Sequence, residues 1–145
     1  MVLKSYDWAI NQREKGNCVM SGFHSKIEKD VLHFLLKGTQ PVILALARGL
    51  KNNYEREIQK ALSENHVLII TPFKESTKRV TSFTAEQRNR FMCDLADEIF
   101  VAYASPNGKL LPLIQYYLAK EKVVKAFDAP ENEHLFNLGA ERFVV

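Results

Sequence analysis

Apolar positions along the chain follow two alternating rhythms, short continuous runs and longer stripes at helical spacing. The run from Pro41 through Val42, Ile43, Leu44, Ala45 and Leu46 to Ala47 is apolar throughout, which predicts a parallel strand covered on both faces, in the middle of its sheet. Shorter runs predict strands over 18–20, 67–70, 99–102, 123–127 and 142–145. Ser5 is placed to cap a first helix over 5–14, with Trp8, Ala9 and Ile10 facing inward and Gly16-Asn17 ending it. Ser25-Lys26-Ile27-Glu28 has the form of a capping box, and Ile27, Val31, Phe34 and Leu35 follow at helical spacing until Gly38. A third helix is expected over 54–65. Thr84-Ala85-Glu86-Gln87 is a second capping box, opening a helix to Ala96. Pro112 suits only a first helical turn, so the next helix should run from Leu110 to Lys120, with a short helical turn before the last strand. Residues 73–83 are polar, basic and without periodicity, the one long loop.

Strands alternating with helices across short loops imply right-handed crossovers. The fold class expected is therefore α/β, a three-layer Rossmann-like domain with a mainly parallel sheet, whose ligands sit beyond the carboxyl ends of the strands. At 145 residues, without repeat or linker, the chain reads as a single domain.

Composition narrows the field further. With 46% hydrophobic and 26% charged residues, a disordered tail is excluded. The longest apolar run is too short to span a bilayer and the N-terminus lacks an apolar signal core, so a cytoplasmic protein without membrane association is expected. Cys18 and Cys93 have no partner at metal-ligand spacing; both are expected to be reduced core residues, with no metal site and no cofactor. A net charge of +3 is too mild to imply a nucleic-acid partner, so only local clustering can argue for one.

No dinucleotide fingerprint, phosphate-binding Gly-Lys-Ser/Thr, nucleophile elbow or His-Glu-x-x-His pair is present, and the four histidines are scattered. No catalytic residue is therefore assigned, and an enzyme is the lesser expectation. What remains is a set of strand-to-helix turns expected on one edge of the sheet: Ser21-Gly22 with Lys26 just beyond it, Arg48-Gly49-Leu50-Lys51, the Thr84 helix start, and Asn107-Gly108-Lys109. Helix starts with nearby cations form an anion cradle, and phosphate is its natural ligand. The alternative is ordinary turns with glycine chosen for its dihedral freedom.

Arg88-Asn89-Arg90 lies in the first turns of its helix, and Arg88 precedes Phe91, Met92 and Leu95 by three, four and seven positions, so it extends the buried stripe towards the crevice. Its alternative is a structural arginine paired with Asp94, Asp97 or Glu98. Lys74, Lys78 and Arg79, flanked by Phe73 and Phe83, suit a nucleic-acid backbone with stacking faces, or a solvated loop.

The segment from Arg88-Asn89-Arg90 through Phe91-Met92-Cys93-Asp94-Leu95-Ala96-Asp97-Glu98-Ile99-Phe100-Val101 to Asn107-Gly108-Lys109-Leu110 resembles the core signature of the DNA-processing protein A (DprA/Smf) family. Upstream, Ser21-Gly22 with Ile27-Glu28 resembles that family's Ser-Gly-x-Ala-Arg-Gly-Ile-Asp turn, and Ala47-Arg48-Gly49-Leu50 its Gly-Cys-Gly-Leu. The similarity covers roughly Asn17 to Phe127. It implies a Rossmann-like domain that binds single-stranded DNA through phosphate contacts, without catalysis, and hands the strand to a recombinase during DNA uptake. Arg88 and Arg90 would contact phosphate, Asn89 would brace the helix start, and Ser21, Gly22, Gly108 and Lys109 would line the crevice. His24-Ser25-Lys26 replaces Ala-Arg-Gly, leaving only Lys26 for one expected arginine and lowering the expected affinity. The family's opening strand, its glycine-rich phosphate turn and any accessory domain have no counterpart in this sequence, which suggests a reduced member. The alternatives are a small-nucleotide sensor or nucleotide-processing enzyme on the same fold, or a structural subunit without ligand; a homodimer is compatible with each.

Overall fold

The computed structural model describes residues 2–144. They form two compact units, one from Val2 to Met92 and one from Cys93 onward.

In the N-terminal unit, helix α1 (Val2–Lys15) precedes strand β1 (Val19–Ser21), α2 (Lys26–Leu35), β2 (Val42–Ala45), α3 (Arg56–Ser63), β3 (Val67–Ile70) and the start of α4 (Ser82–Leu95). The strands pair in parallel in the order β1-β2-β3, with Val19 opposite Val42 and Val42 opposite Val67. The continuous apolar run thus lies in the middle of its sheet, as its pattern requires. Ala9, Val31, Leu32, Leu35, Val42, Leu44 and Val67 form the core. Tyr6 donates to Asp30 at 2.7 Å and Arg13 to the Phe34 carbonyl at 3.0 Å, fixing α1 on α2.

The C-terminal unit carries β4 (Glu98–Val101), α5 (Leu110–Ala119), β5 (Val123–Phe127), a 3-10 turn (Pro130–Asn132), α6 (Glu133–Asn137) and β6 (Glu141–Phe143). Its strands pair in parallel in the order β4-β5-β6. Asn132 is fully buried, and its amide donates to the carbonyls of Ala102 and Phe127 at 2.9 and 3.1 Å, tying the carboxyl ends of β4 and β5 together.

Strands alternate with helices and every pairing is parallel, as the apolar pattern predicts, but the strands divide between two three-stranded sheets. Local expectations needed four corrections. Helix α1 begins at Val2, so Ser5 is a buried helical residue rather than a cap. The α4 cap is Thr81, whose hydroxyl accepts from the Thr84 N–H at 3.1 Å, and the expected Thr84 box lies inside the helix. Leu95 is 56% exposed, so the α4 stripe stops short of it. Cys18 is exposed and Cys93 half-buried, so neither is a core residue; Val19 takes the inner side of β1, and Thr84 alone is buried on α4. Val145, the end of the expected last strand, lies outside the described residues.

Candidate functional site

Neighbouring parallel strands deliver their carboxyl ends to one edge, so the turns after β1 and β2 lie side by side. At the first of them, the Ser21 hydroxyl accepts from the Phe23 N–H at 3.1 Å. Phe23 is left-handed at φ 45°, a conformation that costs a bulky residue about 1 kcal/mol or more. Burial of its ring in the core offsets that strain. The expected capping box is present: the Ser25 hydroxyl accepts from the Glu28 N–H at 3.2 Å, and Glu28 Oε2 accepts from the His24 and Ser25 N–H groups at 2.7 and 2.8 Å. The anion at the start of α2 is the chain's own carboxylate.

Arg88 reaches the same turn from α4. Its guanidinium rests on Gly22, where a built Cβ would stand 2.7 Å from the guanidinium carbon, closer than packed atoms allow. Nε donates to Asn89 Oδ1 at 3.0 Å and Nη1 to the Ala45 carbonyl at 3.4 Å. Nη2 has no hydrogen-bond partner among the described residues. Burial lowers the Arg88 pKa, and the nearby Glu28 charge partly restores it. Arginine stays protonated under all ordinary conditions, so the result is a partly dehydrated cation with an open donor at the carboxyl edge of the sheet. Such a fork forms strong, geometrically selective hydrogen bonds to phosphate oxygens. Arg88 forms no ion pair among the described residues.

The remaining candidates divide. At the β2–α3 turn, Arg48 Nε donates to the Gly49 carbonyl at 3.1 Å. Gly49 is buried, and its N–H goes to the Thr77 carbonyl at 2.7 Å. A Cβ there would meet Glu75 Cα at 2.6 Å, so the 71–81 loop lies directly on this glycine. Gly49 therefore seats the basic loop, its amide already engaged. Lys51 is exposed over the Tyr54 ring at 5.1 Å. Lys26 pairs with Asp30 at 3.6 Å and Arg90 with Glu86 at 3.5 Å, one-turn surface pairs worth little. Lys74, Lys78 and Arg79 are exposed and form no ion pair among the described residues, and Phe83 beside them is 65% exposed.

In the C-terminal unit, the Gly108 N–H closes a turn on the Ser105 carbonyl at 3.0 Å, and Asn107 and Lys109 stand exposed ahead of α5. The structure thus groups Ser21, Gly22, Arg88 and Asn89 with Glu28, which the sequence marked as a cap and a turn residue but not as part of the site, and with the Ala45 carbonyl, which it did not mark. Glu28 was legible as a cap, but its electrostatic bearing on Arg88 needed coordinates. No group of His, Cys, Asp and Glu fit to hold a metal occurs among the described residues. No helix among them is long and apolar enough to cross a membrane.

Parallel strands alternating with helices, with an arginine poised over the first strand-to-helix turn, define a Rossmann-like α/β protein with an anion-receptive edge. The sequence model of DNA recombination-mediator protein A matches residues 6–143, and the chain belongs to that family. DNA processing protein A from Streptococcus pneumoniae has a similar structure, with a TM-score of 0.77 at 18% identity; the match covers 98% of this chain and 53% of that one. DNA processing protein A from Helicobacter pylori, whose structure is described as giving its single-stranded DNA binding mode, aligns with a TM-score of 0.75 at 16% identity, over 97% of this chain and 67% of that one. This chain therefore spans about half the length of the Streptococcus protein. No curated protein matches its sequence.

Proposed function

We propose that this chain binds single-stranded DNA through its phosphate backbone, without catalysis, in DNA processing, uptake and recombination. The observation that carries the reading is the Arg88 guanidinium, half-buried on Gly22 and bound to Asn89 and the Ala45 carbonyl with Nη2 left open. Family membership and the binding mode described for the Helicobacter protein support it. Arg88 and Asn89 form the primary phosphate contact, with Ser21 and Gly22 beneath. The unpaired cations of the 71–81 loop follow the backbone, and exposed Phe83 offers a face to an unstacked base. Arg48, Lys51, Lys26 and Arg90 add longer-range attraction. Asn107, Gly108 and Lys109 supply a separate contact in the C-terminal unit. Transfer of the strand to a recombinase, and a homodimer, belong to the same reading.

The test is titration of a labelled oligonucleotide against wild type and Arg88→Ala at two salt concentrations. Micromolar or tighter binding that is lost in the variant agrees with the reading, and absence of binding at low salt defeats it.

A further inference from the structure

The turn between β1 and α2 holds two groups of opposite charge. On one side the Arg88 guanidinium rests on Gly22 with Nη2 open. On the other, Glu28 Oε2 holds the N–H groups of His24 and Ser25, two and three residues further on. A phosphate arriving at Arg88 meets these groups together. It gains the guanidinium and does not gain the His24 and Ser25 amides that lead into α2, because the Glu28 carboxylate already fills them. It also meets the field of that carboxylate, whose charge bears on the Arg88 guanidinium and whose amide partners lie two and three residues beyond Gly22.

This arrangement separates two kinds of phosphate. A phosphodiester carries one negative charge and two free oxygens, which suits a guanidinium acting alone. A phosphomonoester near neutral pH carries close to two charges on three oxygens, needs more donors and suffers about twice the repulsion from a nearby carboxylate. Resting on the single-stranded DNA reading above, we propose that Glu28 is the specificity-determining residue of this site, selecting the phosphodiester backbone of a strand over the phosphomonoester of a free nucleotide. Removing its charge should tighten binding about threefold per ligand charge, so about threefold for a diester and about tenfold for a monoester.

Glu28→Gln is the variant of choice, because glutamine keeps the capping acceptor and loses only the charge. Glu64→Gln is the control: Glu64 is exposed at the carboxyl end of α3, which leads into the amino end of β3, so it removes the same charge at the opposite edge of the sheet. Affinities are measured for thymidylyl-thymidine, which carries one phosphodiester, and for thymidine monophosphate, each by competition with a labelled oligothymidylate. Glu28→Gln should gain about threefold more affinity for the monoester than for the diester relative to wild type, and Glu64→Gln should match wild type. Equal gains for both ligands, no gain, or the same gain in Glu64→Gln would overturn the assignment. If Glu28→Gln fails to fold, Glu28→Asn carries the same comparison, and equal gains for the two ligands in it contradict the selection. An oligothymidylate affinity that Arg88→Ala leaves unchanged removes the binding reading itself and this inference with it. An affinity lost in Arg88→Ala but without monoester gain in Glu28→Gln removes only the inference.

Discussion

Arg88 lies where it does because residue 22 has no side chain. The guanidinium occupies the volume that a Cβ on Gly22 would fill, and from that seat it reaches the Ala45 carbonyl at the end of β2. A glycine in β1–α2 and an arginine more than sixty residues later in α4 are thus one structural unit.

Gly22→Ala should therefore behave as a partial Arg88 deletion. The guanidinium must leave, since the carbon at its centre would lie 2.7 Å from the new methyl group. Because the atoms met are the far end of a flexible side chain, the guanidinium can swing aside and stability should change by less than about 1 kcal/mol. Thermal unfolding should stay close to wild type, and oligonucleotide affinity should fall towards that of Arg88→Ala. Wild-type affinity in Gly22→Ala would mean that Arg88 acts from another position.

Gly49→Ala should loosen the basic loop. Its Cβ would strike the Glu75 backbone, and the seat of Thr77 on the Gly49 N–H would be lost. Because backbone cannot yield as a flexible side chain does, the loop itself must lift. Amide hydrogen exchange over residues 71–81 should accelerate while that of β2 stays slow. Unchanged exchange in the loop would contradict the packing described.

Phe83→Ala separates stacking from folding. Phe83 is 65% exposed, so its truncation should leave stability within about 0.5 kcal/mol. If the ring stacks on a base, oligonucleotide affinity should drop by about 1–3 kcal/mol. Retained affinity would assign Phe83 to the surface alone.

Much of this was legible in the sequence, and the limits are physical. β3 and β5 follow their apolar runs, and the Ser25–Glu28 box is local chemistry. Gly22 and Arg88 each stood out alone, but their contact joins distant segments, and no spacing rule encodes it. The engagement of the Gly49 amide by Thr77 was hidden for the same reason, since it depends on a long loop returning over the glycine. Cys18, read as core, lies exposed just ahead of β1, whose Val19 takes the inner side.

Tyr117 gives a pH dependence. It is buried and donates to Asp94 Oδ1, and its pKa is raised by burial first and then by the Asp94 hydrogen bond and charge. The fold therefore favours the neutral phenol. Its contribution is complete below the ordinary phenol value of about 10 and is lost as pH rises through the higher folded value. Thermal midpoints should fall steeply above about pH 10 in wild type. Tyr117→Phe should be about 1 kcal/mol less stable at neutral pH and show a shallower alkaline decline. Parallel alkaline profiles would contradict this.

The central claim is that Arg88 contacts a phosphate of the bound strand. Its most direct test is the salt dependence of oligonucleotide affinity in wild type and Arg88→Ala. Each phosphate contact adds roughly 0.7 to the logarithmic salt slope for single strands, so the variant should bind more weakly with a slope smaller by about that amount. Equal affinity and equal slope in the two proteins would contradict the account.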